Sequence, residues 1–152
     1  MGRMNPPNRD TGRLRGRMRT VRTMTALSLA RLLIAFVPLG RWRKTLGLAD
    51  GHCNRDGSAL AEARQIARQV EWAAERLPFE SVCLPRAMAT SWTLRRRRIA
   101  HALVFAARPA ERRDDQHALH AWVEVDGTKV IGDEPGPWIE TLRLGDSAGA
   151  YD

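Results

Sequence analysis

Residues 119–132 read LHAWVEVDGTKVIG, and they constrain the chain more than any other stretch. Two runs that alternate apolar and polar residues flank Asp126-Gly127. That dipeptide readily takes the positive φ angles of a tight turn, so the pattern predicts a β-hairpin with a two-residue loop. In that register Val125 faces Thr128, Glu124 faces Lys129, Val123 faces Val130 and Trp122 faces Ile131. Leu119, Ala121, Val123, Val125 and Val130 then share one apolar face, and Glu124 and Lys129 form a cross-strand ion pair. His120 falls opposite Asp133, with Cβ atoms about 4.5–5.5 Å apart. A carboxylate at that distance can accept the imidazole N–H, fix its tautomer and stabilise its charged form. An extra residue in the turn, with a bulge, slips the pairing by one. His120 then faces Glu134, which becomes the orienting acid.

Upstream of residue 100 the apolar period is helical. Met24, Leu27, Ala30, Leu33, Ile34 and Val37 recur at steps of three and four, predicting a helix over 21–37 that Pro38 and Gly40 stop. A second amphipathic helix is predicted over 59–77, its stripe formed by Ala59, Ala63, Ile66, Val70, Ala73 and Leu77. A third runs from about Cys83 to Arg97. Pro85 is tolerated there only in a first turn, which places Cys83 at or just before the helix start. Free N–H groups and the macrodipole at such a position favour a thiolate. Cys83, His120 and Asp133 are therefore the parts of a nucleophile, base and orienter. Helices followed by a short apolar run at 102–106 and the hairpin make the fold class α+β.

Charge divides the chain. It carries 25 Lys+Arg against 17 Asp+Glu, a net of +8, and residues 1–50 hold eleven of the basic groups but only two of the acidic ones. Residues 1–20 have few apolar side chains to offset ordering entropy and are expected to be a disordered basic arm. They also lack the apolar segment and cleavage site of a secretory signal, which points to a cytoplasmic protein. No run of about 18 uncharged apolar residues exists, so no spanning helix is expected. The 21–37 helix is expected to pack on the domain or a partner, with an interfacial position on a membrane as the alternative. The expected organisation is arm 1–20, helical extension 21–47, linker 48–58 and one domain over 59–152. Two cysteines are too few for a disulfide scaffold. His52-Cys53 in the linker has no further ligands nearby, so neither a metal nor any other cofactor is expected.

The segment VCLPRAMATSWTLRRRRI, followed by LHAWVEVDGTKVIGD, resembles the transglutaminase-like cysteine peptidases of lasso-peptide biosynthesis. The resemblance covers roughly residues 60–140 and implies a papain/transglutaminase-like core of N-terminal helices followed by a small antiparallel sheet. It maps the nucleophile to Cys83, the base to His120 and the orienting acid to Asp133. Those bacterial enzymes remove the leader from a ribosomally made precursor through an acyl-enzyme. Some members carry a winged-helix leader-recognition domain. The short, helical stretch before residue 48 lacks that pattern. The resemblance therefore implies the stand-alone peptidase of the split form, whose partners are the precursor peptide, a separate leader-recognition protein and the macrolactam-forming cyclase.

Two other readings compete. One is a non-catalytic basic adaptor for nucleic acid. The near-neutral remainder of the chain and the lack of aromatic platforms beside the Arg clusters argue against it, so no nucleic acid is expected. The other keeps the fold but has an amine, acting in an acyl transferase, capture the acyl-enzyme.

Overall fold

In a computed structural model of the chain, residues 9–48, 57–78, 82–109 and 118–145 are described. Four helices precede a four-stranded antiparallel sheet: α1 Arg9–Phe36, α2 Leu39–Trp42, α3 Ser58–Ala74, α4 Cys83–Arg96, then β1 Ala102–Ala107, β2 Leu119–Val125, β3 Thr128–Ile131 and β4 Ile139–Leu144, in the spatial order β3-β2-β1-β4. The α+β class expected from the sequence is the class observed.

The helix expected from residue 21 begins at Arg9, within the stretch expected to be a disordered arm. Once a packed segment has nucleated a helix, each added residue costs only propagation, and Arg, Leu and Met propagate well. Thr20, Thr23 and Thr25 also donate their hydroxyls to carbonyls one turn back. Pro38 ends α1 as expected and caps α2, where the buried Trp42 donates its indole N–H to the Val37 carbonyl at 2.9 Å.

The 21–47 extension packs on the rest of the chain, as expected for its helix. Leu27 and Ala30 of α1, with Trp42 and Leu46, enter the same apolar cluster as α3, α4 and the sheet. Leu48 bridges to His101 by a pair of backbone hydrogen bonds. Linker residues 49–56, with His52 and Cys53, lie outside the described residues, while Gly57 caps α3 and Ser58 opens it. α3 buries Ala59, Ala63, Ile66, Val70 and Ala73 against Ala87, Met88 and Leu94 of α4. Alanines at these positions let the two helices approach closely. Leu77, expected on the same stripe, follows the helix in its terminal turn.

β4 was not anticipated. IETLRL alternates, but its outward side is largely exposed, and it pairs with β1 rather than extending the hairpin. The sheet is covered by the helices on one face, through Leu103, Ala121, Val123, Val125 and Ile131. The other face carries a smaller cluster of Ala102, Val104, Ala106 and Trp122, with Trp138 packed on it.

The hairpin turn is as expected: Asp126 and Gly127 have φ of 49° and 70°, the two positive angles of a type I′ loop. Glu124 pairs with Lys129 and Val125 with Thr128. One step further the register slips, because Val123 pairs with Ile131 and Val130 becomes an extra residue on β3. This bulge corrects the uniform register expected from the alternation, which had placed Trp122 opposite Ile131. Leu119, expected on the apolar face, is 75% exposed at the strand's start. The Glu124–Lys129 ion pair does not form. The Glu124 carboxylate instead accepts from the Trp122 indole at 2.6 Å and from Arg143 at 2.8 Å, while Lys129 sits 4.4 Å over the Trp122 ring.

Candidate active site

Cys83 is the first residue of α4, and Pro85 occupies the first turn, where its missing N–H would have had no partner. His120 is the second residue of β2 and is buried. Burial pushes the Cys83 thiol up. The hydrogen bond and charge of His120, with the backbone N–H groups of Ala121 and Leu84, outweigh burial and hold the thiol below its ordinary value. For His120, burial pushes the imidazole down. The hydrogen bond to Cys83, the Gly132 carbonyl and the charges of Cys83 and Glu134 reverse this and raise it. An acid shifted down beside a base shifted up favours the thiolate–imidazolium pair.

The ring's orientation follows from its other contacts. Nε2 lies 2.7 Å from the Gly132 carbonyl oxygen, which can only accept, so Nε2 carries a proton. Nδ1 is left as the nitrogen that exchanges a proton with the thiol. The nearest carboxylate is that of Glu134, whose Oε2 lies 3.4 Å from Nδ1. Glu134 is itself steered by Arg108 at 3.6 Å. The Trp138 ring stacks on His120 at a centroid distance of 4.8 Å and donates its indole N–H to the Glu134 carbonyl, covering one face of the imidazole.

Asp133 takes none of these contacts. Its side chain is 82% exposed, with Lys129 3.8 Å away. The cause is the Val130 bulge together with Gly132, whose φ of 79° turns the chain after β3. A Cβ on Gly132 would stand 2.6 Å from the Ala121 carbonyl oxygen, so only glycine brings this carbonyl up to His120. The structure thus brings Cys83 and His120 together, leaves Asp133 at the groove's edge without contact to the ring, and places Glu134 and the Gly132 carbonyl beside His120 instead. Glu134 lies beside His120, as the slipped alternative expects, but the ladder itself ends at Val123–Ile131, and the extra residue lies in the strand and not in the turn. A β-branched valine in an alternating run carries no sign of a bulge. A glycine closing that run was the one available signal.

The pair opens into a groove of about 940 Å³ between the end of α3, the start of α4 and the 131–134 segment. Glu71, Glu75, Asp133 and Glu134 line it among the described residues, together with Arg86 and the His120 ring. Among the described residues no cluster of His, Cys, Asp and Glu could hold a metal ion.

Comparison with known proteins gives one result. A family model described as the transglutaminase-like superfamily matches residues 13–140, running unbroken from α1 through the hairpin. No curated protein and no solved structure matches. With most of the chain covered, and with a helix-heading cysteine against a strand histidine in an α+β fold, the protein belongs to the transglutaminase-like superfamily.

Proposed function

We propose that the protein is a cysteine endopeptidase that removes the leader from a ribosomally made lasso-peptide precursor. The observation that carries the catalytic part is the Cys83–His120 pair at the floor of an open groove. The superfamily supports cysteine-peptidase or acyl-transfer chemistry. The narrower substrate assignment rests on the resemblance of CLPRA and HAWVEVDG to the lasso-peptide leader peptidases.

In this reading the Cys83 thiolate attacks the carbonyl carbon at the leader–core junction. His120 gives its Nδ1 proton to the departing amine as the C–N bond breaks, leaving the leader as a thioester on Cys83. Water then attacks the thioester. His120 takes its proton, and the thiolate leaves. The Gly132 carbonyl fixes the ring throughout, and Glu134 stabilises the imidazolium. Glu134 replaces Asp133 in the proposed role, because its carboxylate lies beside the ring. A separate leader-recognition protein and the cyclase are the proposed partners. Capture of the same thioester by an amine is the acyl-transferase reading, and the superfamily's name keeps it in play.

The test is to incubate the protein with a precursor encoded beside its gene and the accompanying leader-binding protein, and to weigh the products. Free leader acid with core peptide supports hydrolysis, and a leader joined to an amine supports transfer. Cys83→Ala should abolish both, whereas unchanged leader release by that variant overturns the assignment.

A further inference from the structure

α1 is apolar on two opposite sides. Leu27 and Ala30 face the core, while Met18, Val21, Leu29, Leu32 and Phe36 are 48–79% exposed. Those five fall within a band of roughly 80° on the helix, at its natural period of 3.6. Nothing among the described residues covers them. Beside the stripe, Arg19, Arg22, Arg68, Arg96 and Arg97 line two grooves between α1, α3 and α4. Glu62, paired with Arg97 at 3.3 Å, is the one carboxylate among the described residues of either lining. Met18 lies in one of these grooves, and Val21 and Leu29 in the other, so these three sit directly beside the guanidinium groups, and Leu32 and Phe36 continue the same stripe along α1.

This surface lies at the opposite end of α4 from the catalytic groove. The helix runs from Cys83 to Arg96, about 20 Å by its rise per residue. Charge follows the same axis, since four carboxylates line the Cys83 end and five arginines the other.

We propose that the basic, apolar surface of α1 with the ends of α3 and α4 docks on an anionic lipid surface and turns the Cys83 groove away from it. This goes beyond the peptidase reading and does not depend on it. Arginines flanking an aliphatic ridge suit a membrane, whose headgroups meet the guanidinium groups while the ridge enters the interface. Nucleic acid offers no partner to Leu29, Leu32 and Val21. A second copy would bring like charges together. Docking means lying on the membrane, since no described helix is long and apolar enough to cross it.

Vesicle co-sedimentation tests this with the full chain. Phosphatidylcholine vesicles containing about one-third phosphatidylglycerol should bind at least about tenfold more protein than phosphatidylcholine alone, with loss of binding at high salt. Leu32→Gln and Phe36→Gln, at exposed positions, should each weaken binding severalfold, and Arg19→Glu with Arg22→Glu about tenfold, with unchanged circular dichroism. Equal binding to both vesicle types, or binding indifferent to the Leu32 and Phe36 changes, overturns the proposal. So does a short DNA duplex that binds more tightly than the anionic vesicles, or a protein that sediments as a dimer through this face.

Discussion

One helix carries two hydrogen-bonded nucleophile–histidine pairs with opposite fates. At the start of α4, Cys83 meets His120; two turns on, Ser91 Oγ lies 2.8 Å from His101 Nε2. The second pair has the spacing of a serine–histidine nucleophile, yet Ser91 and His101 are both 0% exposed. His101 Nδ1 donates to the Ile99 carbonyl, so Nε2 accepts from the Ser91 hydroxyl, which in turn accepts from the Gly47 N–H at 3.0 Å. Every polar atom of that chain is satisfied. Burial, with the nearby Arg95 charge, holds His101 below the ordinary imidazole value against the opposing Ile99 carbonyl. His120 moves the other way because Cys83 and Glu134 place negative charge beside it. Contact between a nucleophile and an imidazole is therefore no site by itself. The environment must also stabilise the imidazolium, and the pair must reach a groove.

The largest expected effect separates the pairs by activity. Cys83→Ala should lower leader release by about a thousandfold or more, whereas Ser91→Ala should leave the rate per folded molecule unchanged. Equal losses in the two variants, measured by product mass over time, would erase the distinction.

Stability should show the reverse. Ser91→Ala leaves His101 Nε2 and the Gly47 N–H buried without their partner, which costs about 1–3 kcal/mol and lowers the urea midpoint. Cys83→Ala should not. The buried pair also carries a pH signature. His101 is kept neutral in the fold but can take a proton in the unfolded chain, so below about pH 6.5 the unfolded state binds more protons. Its contribution therefore weakens the fold as pH falls, from that value down to its depressed folded-state pKa. Urea titrations across that range should show the loss.

A smaller effect distinguishes two adjacent carboxylates. Glu134→Gln removes negative charge that helps raise His120, so the alkaline limb of the activity profile should move to lower pH, and the rate should fall severalfold. Asp133→Asn should shift neither limb, because its side chain points to solvent. A larger effect at Asp133 would restore the unslipped register for the working enzyme.

These distinctions were unevenly legible in the sequence. Cys83 heading a helix followed from Pro85, and His120 at the hairpin followed from Asp126-Gly127. Both are local rules, and both hold. The partner of His120 depended on a bulge at Val130, a choice made by tertiary packing over a side chain that fits either pairing. Ser91 and His101 left no signal, because their contact joins the middle of a helix to the residue before a strand through the buried Gly47 turn. β4 was equally obscure, since only the mates it finds across β1 define it.

The central claim is that Cys83 and His120 form an ion pair, and thiolate titration tests it most directly. In a Cys53→Ser background, the rate of Cys83 alkylation by iodoacetamide can be followed against pH by mass spectrometry. The account predicts that the rate reaches its thiolate plateau clearly below the ordinary thiol pKa of about 8.5, and that His120→Ala, leaving burial unopposed by the imidazole, moves the titration up to that value or above it. A single rise centred near the ordinary thiol value, the same with and without His120, would contradict it.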